Sequence, residues 1–279
     1  MMTIRELIES GTKKLEAARI GEAQTHCEFI AAFVLNKSRT YVRAFGQNIV
    51  YDKERAMFDD ILKEKLAGRP LAHITGSAEF MGRIFDISQT VLIPRPETEE
   101  LVEQAIKKIS VPPRSVLDIC TGSGCIAISL AFLFKSAKIV SADISKEALK
   151  VALRNAQNLN IANRIEFIES DMFDKLGGTF DFIISNPPYI PEEIISTLSP
   201  EVQCEPHIAL CGGKDGLSVI KRLISSAPKY LNPGGLLALE IGCAQAEKVV
   251  KFFKDVKWQK PQIGKDISGT DRFVFARRK

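Results

Sequence analysis

SVLDICTGSGCIAISL, residues 115–130, reads as a buried strand, a glycine-bearing turn and an apolar helix in direct succession. The strand part is a short β-branched run, and the helix part is too long and too evenly apolar to alternate. The same alternation continues downstream. KIVSADI (138–144), RIEFIES (164–170), FDFIIS (180–185) and GGLLALEIG (234–242) read as strands. KEALKVALRNAQNL (146–159), GLSVIKRLISSAPKYL (216–231) and a segment near 244–253 read as helices, and two last short strands are expected near 256–263 and 272–277. Apolar strands separated by helices predict an open, mostly parallel sheet with helices on both faces. Such sheets bind ligands at the carboxyl ends of their strands, and every notable motif in this chain falls at one of those ends.

Upstream the period changes. TIRELIESGTKKLEAARI places Ile4, Leu7, Ile8 and Leu15 on one stripe, AQTHCEFIAAFVL gives a second helix, and KERAMFDDILKEKLA (53–67) gives a third, closed by Gly68 and Pro70. Residues 1–85 are therefore expected to form a small helical domain and residues 86–279 the α/β domain. A hairpin linker over about 79–94 is expected to turn around Asp86 to Gln89.

The 279 residues carry 38 basic and 34 acidic side chains, a net charge of +4. That is far below the clustered positive footprint of a DNA binder. Six cysteines and three histidines form no CxxC pair and no metal-ligand spacing, so no metal is expected. Reduced thiols, no signal peptide and no long apolar span predict a cytoplasmic protein without a membrane partner.

In the turn after the first strand, Cys120, Thr121, Gly122, Ser123 and Gly124 form a cradle. It lacks the G-x-G-x-x-G of dinucleotide sites and the lysine of a phosphate-binding loop. Asp143 ends the next strand, where an acid can accept the hydroxyls of a ribose. Asp171 ends the third, beside Met172 and Phe173, where an acid and an apolar wall suit an adenine. Helix capping is the plainer role for both acids, and the two roles can coexist. A nucleoside site without a diphosphate site suits S-adenosylmethionine, with S-adenosylhomocysteine as product.

FDFIISNPPYIP ends the fourth strand with Asn186, Pro187, Pro188 and Tyr189. Two prolines fix the backbone into a rigid corner. The Asn186 side-chain oxygen and the Pro187 carbonyl can each accept one N–H of a planar NH2 group, and Tyr189 can stack on that plane. These contacts favour charge developing on the nitrogen as a methyl arrives.

LIPRPETEELV (92–102), DICTGSGCIAI (118–128), ADIS (142–145), SNPPYIP (185–191) and EPHIALCGGKDGL (205–217) together resemble the bacterial-type release factor glutamine methyltransferases over essentially the whole chain. The resemblance implies a Rossmann-like class I methyltransferase sheet with an N-terminal helical substrate-docking domain. It implies methyl transfer from S-adenosylmethionine to the side-chain N5 of the glutamine in the Gly-Gly-Gln motif of class I peptide chain release factors. By the same resemblance Cys120 to Gly124, Asp143 and Met172 hold the cofactor, and Asn186 to Tyr189 hold the target glutamine. A monomer with no stable nucleic-acid partner is expected. The rival reading is an amino-group methyltransferase acting on rRNA or DNA bases, since a base amine presents the same planar geometry and the NPPY motif occurs in such enzymes. This chain departs from the family pattern at Cys120, where a glycine is usual, and at Met172, where some relatives carry tryptophan.

Four further residues are open on sequence. Glu97 and Glu99 either favour a helix N-terminus or scaffold the cofactor. Glu240 is either structural or faces the site, and His207 is a candidate base.

Overall fold

The computed structural model describes residues 2–254 and 256–279, and these form two compact units. One takes the chain as far as Gly76 together with Pro200–Cys204. The other takes Ser77–Ser199 with Glu205–Lys279.

The smaller unit is helical: α1 (Ile4–Ala17), α2 (Ala23–Val34), α3 (Arg39–Ala44), α4 (Asp52–Leu66), α5 (Leu71–Thr75), and a two-stranded pairing of β1 (Met2–Thr3) with β2 (Ile49–Val50). Thr3 and Glu6 cap α1 reciprocally, each side chain bonding the other's backbone N–H. The apolar stripe of α1 is buried as its period predicts, with Ile4, Leu7, Ile8 and Leu15 joining Cys27, Ile30, Phe58 and Leu62. Gly11 sits where a Cβ would lie 2.9 Å from both the Cys27 sulfur and the Phe58 ring, so only glycine lets α2 and α4 close on α1. Two charges are buried here, and each has a partner. Glu28 accepts from Arg39 (3.0 Å) and Arg43 (2.8 Å), and Lys65 donates to Glu201 at 2.6 Å.

The larger unit opens with an antiparallel hairpin, β3 (Ser77–Phe80) and β4 (Arg83–Asp86). Its turn falls at Met81-Gly82, earlier than the expected Asp86 to Gln89. Both turn residues have positive φ, 47° and 71°, a geometry that matches strand twist but carries no Asn-Gly signal to announce it. Next comes α6 (Pro96–Lys107), followed by the alternation β5 (Ser115–Ile119), α7 (Cys125–Leu133), β6 (Lys138–Asp143), α8 (Lys146–Asn158), β7 (Ile165–Glu169) and β8 (Phe180–Ser185). The short α9 (Glu192–Ile195), α10 (Pro200–Gln203) and α11 (His207–Leu210) precede α12 (Ser218–Ser226), and α10 falls in the helical unit. The chain finishes with β9 (Leu231–Glu240), α13 (Ala246–Val250), β10 (Gln262–Lys265) and β11 (Asp271–Arg277).

Seven strands of the described residues form one sheet in the order β10-β11-β9-β8-β5-β6-β7. The five strands from β9 to β7 run parallel, while β11 and β10 pair antiparallel at one edge. A core of Leu117, Ile183, Ile220, Leu223, Leu237 and their neighbours covers one face. The register fixes the functional end. Ile119 pairs with Ser185 and Ala142, and Ser185 pairs with Leu239. Cys120, Asp143, Asn186 and Glu240 therefore emerge together at the carboxyl ends of four adjacent strands. Among the described residues no helix is long and apolar enough to cross a membrane.

Candidate active site

A cavity of about 220 Å³ lies at that carboxyl edge. Cys120, Thr121, Gly122, Ser123, Asp143, Asp171, Met172, Asn186 and Pro188 all line it. Gly124, Pro187 and Tyr189 do not. Gly124 instead packs beneath the loop, where its φ of +80° and a Cβ position 2.9 Å from the Ala152 Cβ leave room for glycine alone. Among the described residues no cluster of three or more His, Cys, Asp or Glu is placed to hold a metal ion.

The glycine turn is held almost entirely through main-chain groups. Asp143 accepts from the Gly122 N–H (2.9 Å) with one oxygen and from the Ser145 N–H (2.9 Å) with the other. Each oxygen keeps a lone pair directed elsewhere. Ser145, not Asp143, caps α8. Burial raises the Asp143 pKa, opposed by these backbone bonds. Behind the turn, buried Asp118 accepts from the Thr121 hydroxyl (2.6 Å) and the Ala127 N–H (3.1 Å), while its other oxygen has no partner among the described residues. Burial pushes its pKa up to about 7. Asn155 ties the turn to the hairpin, donating to the Ser123 and Asp86 carbonyls and accepting from the Asp86 N–H. Cys120 adopts φ of +60° and Met172 +54°, both in the left-handed region that favours glycine. Burial holds the Cys120 thiol well above its ordinary pKa and pushes Cys125 to about 12, so both are neutral thiols rather than nucleophiles.

At the third strand end Asp171 accepts from Arg222 at 3.0 Å, and both line the cavity. Sequence reading missed Arg222, which projects from the amphipathic α12 as one cation among many.

The amide side is held by side chains. The Asn186 Nδ2 donates to the Thr98 hydroxyl at 2.9 Å, and that hydroxyl donates to Glu240 Oε2 at 2.7 Å. The Tyr189 hydroxyl donates to Glu240 Oε1 at 3.1 Å. Thr98 and Glu240 are 3% and 1% exposed. Burial pushes the Glu240 pKa up to about 7, against the two hydroxyl donors and Arg272. Burial, then the charge of Glu240, drives the Tyr189 pKa far upward. Sequence reading noticed Glu240 and missed Thr98, which lies between the two glutamates that drew attention. Glu99 has a local task, accepting the N–H of Met81 in the hairpin turn at 2.7 Å. Buried Glu205 braces the cavity wall, accepting from the Arg95 guanidinium and, at 3.2 Å, from the Ile93 N–H. His207 is exposed and does not line the cavity.

The Methyltransferase small domain profile matches residues 97–197 and the PrmC N-terminal domain profile residues 6–76. A release factor glutamine methyltransferase of Koribacter versatilis is 38% identical over 99% of both chains. One from Nitratidesulfovibrio vulgaris is 35% identical over 99% of this chain and 95% of its own. Among solved structures, a methyltransferase of Pyrococcus furiosus aligns with a TM-score of 0.56 at 20% identity, covering 79% of this chain and 98% of its own. A Thermus thermophilus 16S rRNA methyltransferase, crystallised with AdoMet and guanosine, aligns with a TM-score of 0.53 at 18% identity, over 73% of this chain and 50% of its own. At those identities the two structures share the fold alone.

Proposed function

Because the chain belongs to the release factor glutamine methyltransferase family, we propose that it transfers a methyl group from S-adenosylmethionine to the N5 of the Gly-Gly-Gln glutamine of class I peptide chain release factors. The observation that carries the reading is Asn186 at the cavity wall. Its NH2 is engaged by Thr98, and among the described residues nothing hydrogen-bonds its oxygen.

The residues present fit the cofactor. The glycine turn admits a ligand close to its backbone, Asp143 retains acceptor capacity for ribose hydroxyls, and Leu92, Ile144, Met172 and Val219 supply an apolar wall for a ring. Asp171 and Arg222 stand at the same wall to meet the ring's polar edge. Bound there, S-adenosylmethionine supplies an activated methyl on a sulfonium sulfur.

The chain's own residues deal with the harder partner. An amide nitrogen is a weak nucleophile because its lone pair is delocalised. The Asn186 Oδ1 and the Pro187 carbonyl each accept one of its N–H groups, which orients the nitrogen and favours positive charge developing on it. The rigid double proline keeps these two acceptors at a fixed spacing. No buried nucleophile is needed, and the spent proton leaves to solvent.

The helical unit is assigned the release-factor docking role. Phe29 and Phe33, one turn apart on α2, are 41% and 40% exposed, an apolar pair suited to a protein partner.

Incubation of the protein with S-adenosylmethionine and a purified class I release factor, followed by peptide mass spectrometry, tests the reading. One methyl on the Gly-Gly-Gln glutamine is expected. An unmodified factor in the presence of bound cofactor would overturn it and redirect attention to rRNA and DNA amines.

A further inference from the structure

The acceptor oxygen of Asn186 is useful only if the carboxamide cannot turn over. An asparagine side chain is nearly symmetric in shape, and rotation by half a turn would present NH2 to a substrate NH2, donor against donor. Resting on the glutamine reading above, we infer that Thr98 and Glu240 are positioning residues that lock the Asn186 carboxamide with its oxygen toward the cavity.

The argument is one of hydrogen-bond direction. Ionised Glu240 has no proton to give, so it accepts from both neighbours, Thr98 at 2.7 Å and Tyr189 at 3.1 Å. The single hydroxyl proton of Thr98 is thereby committed. Toward Asn186 the threonine oxygen can only accept, and only Nδ2 can donate to it, at 2.9 Å. A flipped carboxamide would set its oxygen against an oxygen with no proton left. Thr98 and Glu240 are both buried, so their shared bond is screened from solvent. It also joins parts of the chain that share no local sequence: Thr98 is 88 residues from Asn186 and 142 from Glu240.

The lock depends on the charge of Glu240. Once protonated, the carboxyl can donate to Thr98, the threonine proton is released, and both orientations of Asn186 become allowed. The charged and titratable groups facing Glu240 are Arg272 from β11, which favours the anion, Glu97 from α6, which opposes it, and the Tyr189 phenol. Burial outweighs them, and the proton binds near pH 7.

The test is steady-state kinetics of the full chain on a purified release factor across pH, with cofactor binding measured in parallel. Thr98→Val keeps the shape and removes the hydroxyl. It should lower kcat by about 100-fold, the cost of a misplaced reacting group, while leaving KM for both substrates unchanged. Thr98→Ser, which keeps the hydroxyl, should recover most of that loss. In the unaltered protein kcat should fall as pH drops through about 7, and Glu240→Gln should abolish that limb. Undiminished kcat in Thr98→Val would overturn the inference. So would a kcat loss accompanied by equal loss of cofactor affinity, or a pH limb that survives Glu240→Gln. The limb of the unaltered protein needs no variant, so its absence counts against the inference even if a substitution unfolds the chain. Failure of the glutamine reading would show itself earlier, as an unaltered protein that leaves the release factor unmethylated, and the inference would fall with it.

Discussion

Cys120–Gly124 and Asn186–Tyr189 both follow central strands of one sheet, yet they are held by different kinds of bond. The glycine turn is fixed by backbone groups: Asp143 and Asn155 address main-chain N–H and carbonyl groups, and the turn's shape comes from positive φ angles. At the asparagine corner the Asn186 carboxamide is fixed by side chains, through Thr98, Glu240 and Tyr189. A ligand that must only be bound can be cradled by main chain. An amide that must be oriented to within one hydrogen bond needs a donor and an acceptor whose identities cannot exchange.

The sharpest break between the two sides is expected from Asn186→Ala. It should lower kcat about 100- to 1000-fold, or about 3 kcal/mol, with cofactor affinity intact by calorimetry. A comparable fall in cofactor affinity would mean the corner belongs to the cofactor side. Glu240 separates the sides by stability as well as rate. Its pKa rises on folding from 4.5 to about 7, so the folded state binds the extra proton between those values. Stability from this group is full below the unfolded value and is lost as pH rises toward 7, by up to about 3 kcal/mol at about 1.4 kcal/mol per unit. Activity is expected to rise over the same interval. Denaturant titrations of the unaltered protein and Glu240→Gln across pH check this, and equal slopes in the two would remove Glu240 as the source. Buried Asp118 adds a slope of the same sign, which Glu240→Gln leaves in place.

On the cofactor side, Asp143→Ala removes an acceptor that serves the loop and the proposed ribose. Charge-assisted bonds of this kind are worth about 2 kcal/mol, so the cofactor Kd should rise by about 30-fold with kcat at saturation little changed. A kcat loss without a Kd change would reverse the assignment of the two sides. For the helical unit the expected effect is smaller. Phe33→Ser should raise KM for the release factor about 10-fold, the cost of a moderate interface anchor, and leave kcat and cofactor Kd alone. An unchanged KM would place docking elsewhere.

The two sides also differ in how far they could be read from sequence. β5, β6 and β8 are short buried runs and β7 a half-exposed one, all bounded by turns, and each lies within a residue of where its pattern puts it. The glycine turn sits directly between such a strand and its helix, so its place in the fold follows from local sequence. The corner at Asn186 is equally visible, but its supports are not. Thr98 reaches it only because α6 packs against β9, and Glu240 only because β9 lies beside β8. Nothing in PETE or LALEIG distinguishes a residue aimed at a neighbouring strand end from a helix cap or a buried acid. The long helix expected over 216–231 stops at Ser226, where the approach to Pro228 tightens it into a 3₁₀ turn. The segment near 244–253 yields only Ala246–Val250.

The smallest predicted effect concerns the first residue of the cradle. Cys120 holds φ of +60°, a conformation that costs an L-residue about 1–2 kcal/mol relative to its ordinary regions. Glycine pays no such cost but loses more freedom on folding, about 0.5–1 kcal/mol, and it would give up the packing of the thiol against the core. The comparison with the unaltered protein is therefore close to balanced. The informative comparison is between Cys120→Gly and Cys120→Ala, which both remove the thiol and differ mainly in backbone freedom. At an ordinary position alanine is the more stable of the two. Here Cys120→Gly should be the more stable, by about 1 kcal/mol, measured by chemical denaturation without cofactor. The opposite ranking would mean the turn relaxes out of the left-handed region. In that case the cradle would depend on its side chains in the way the asparagine corner does.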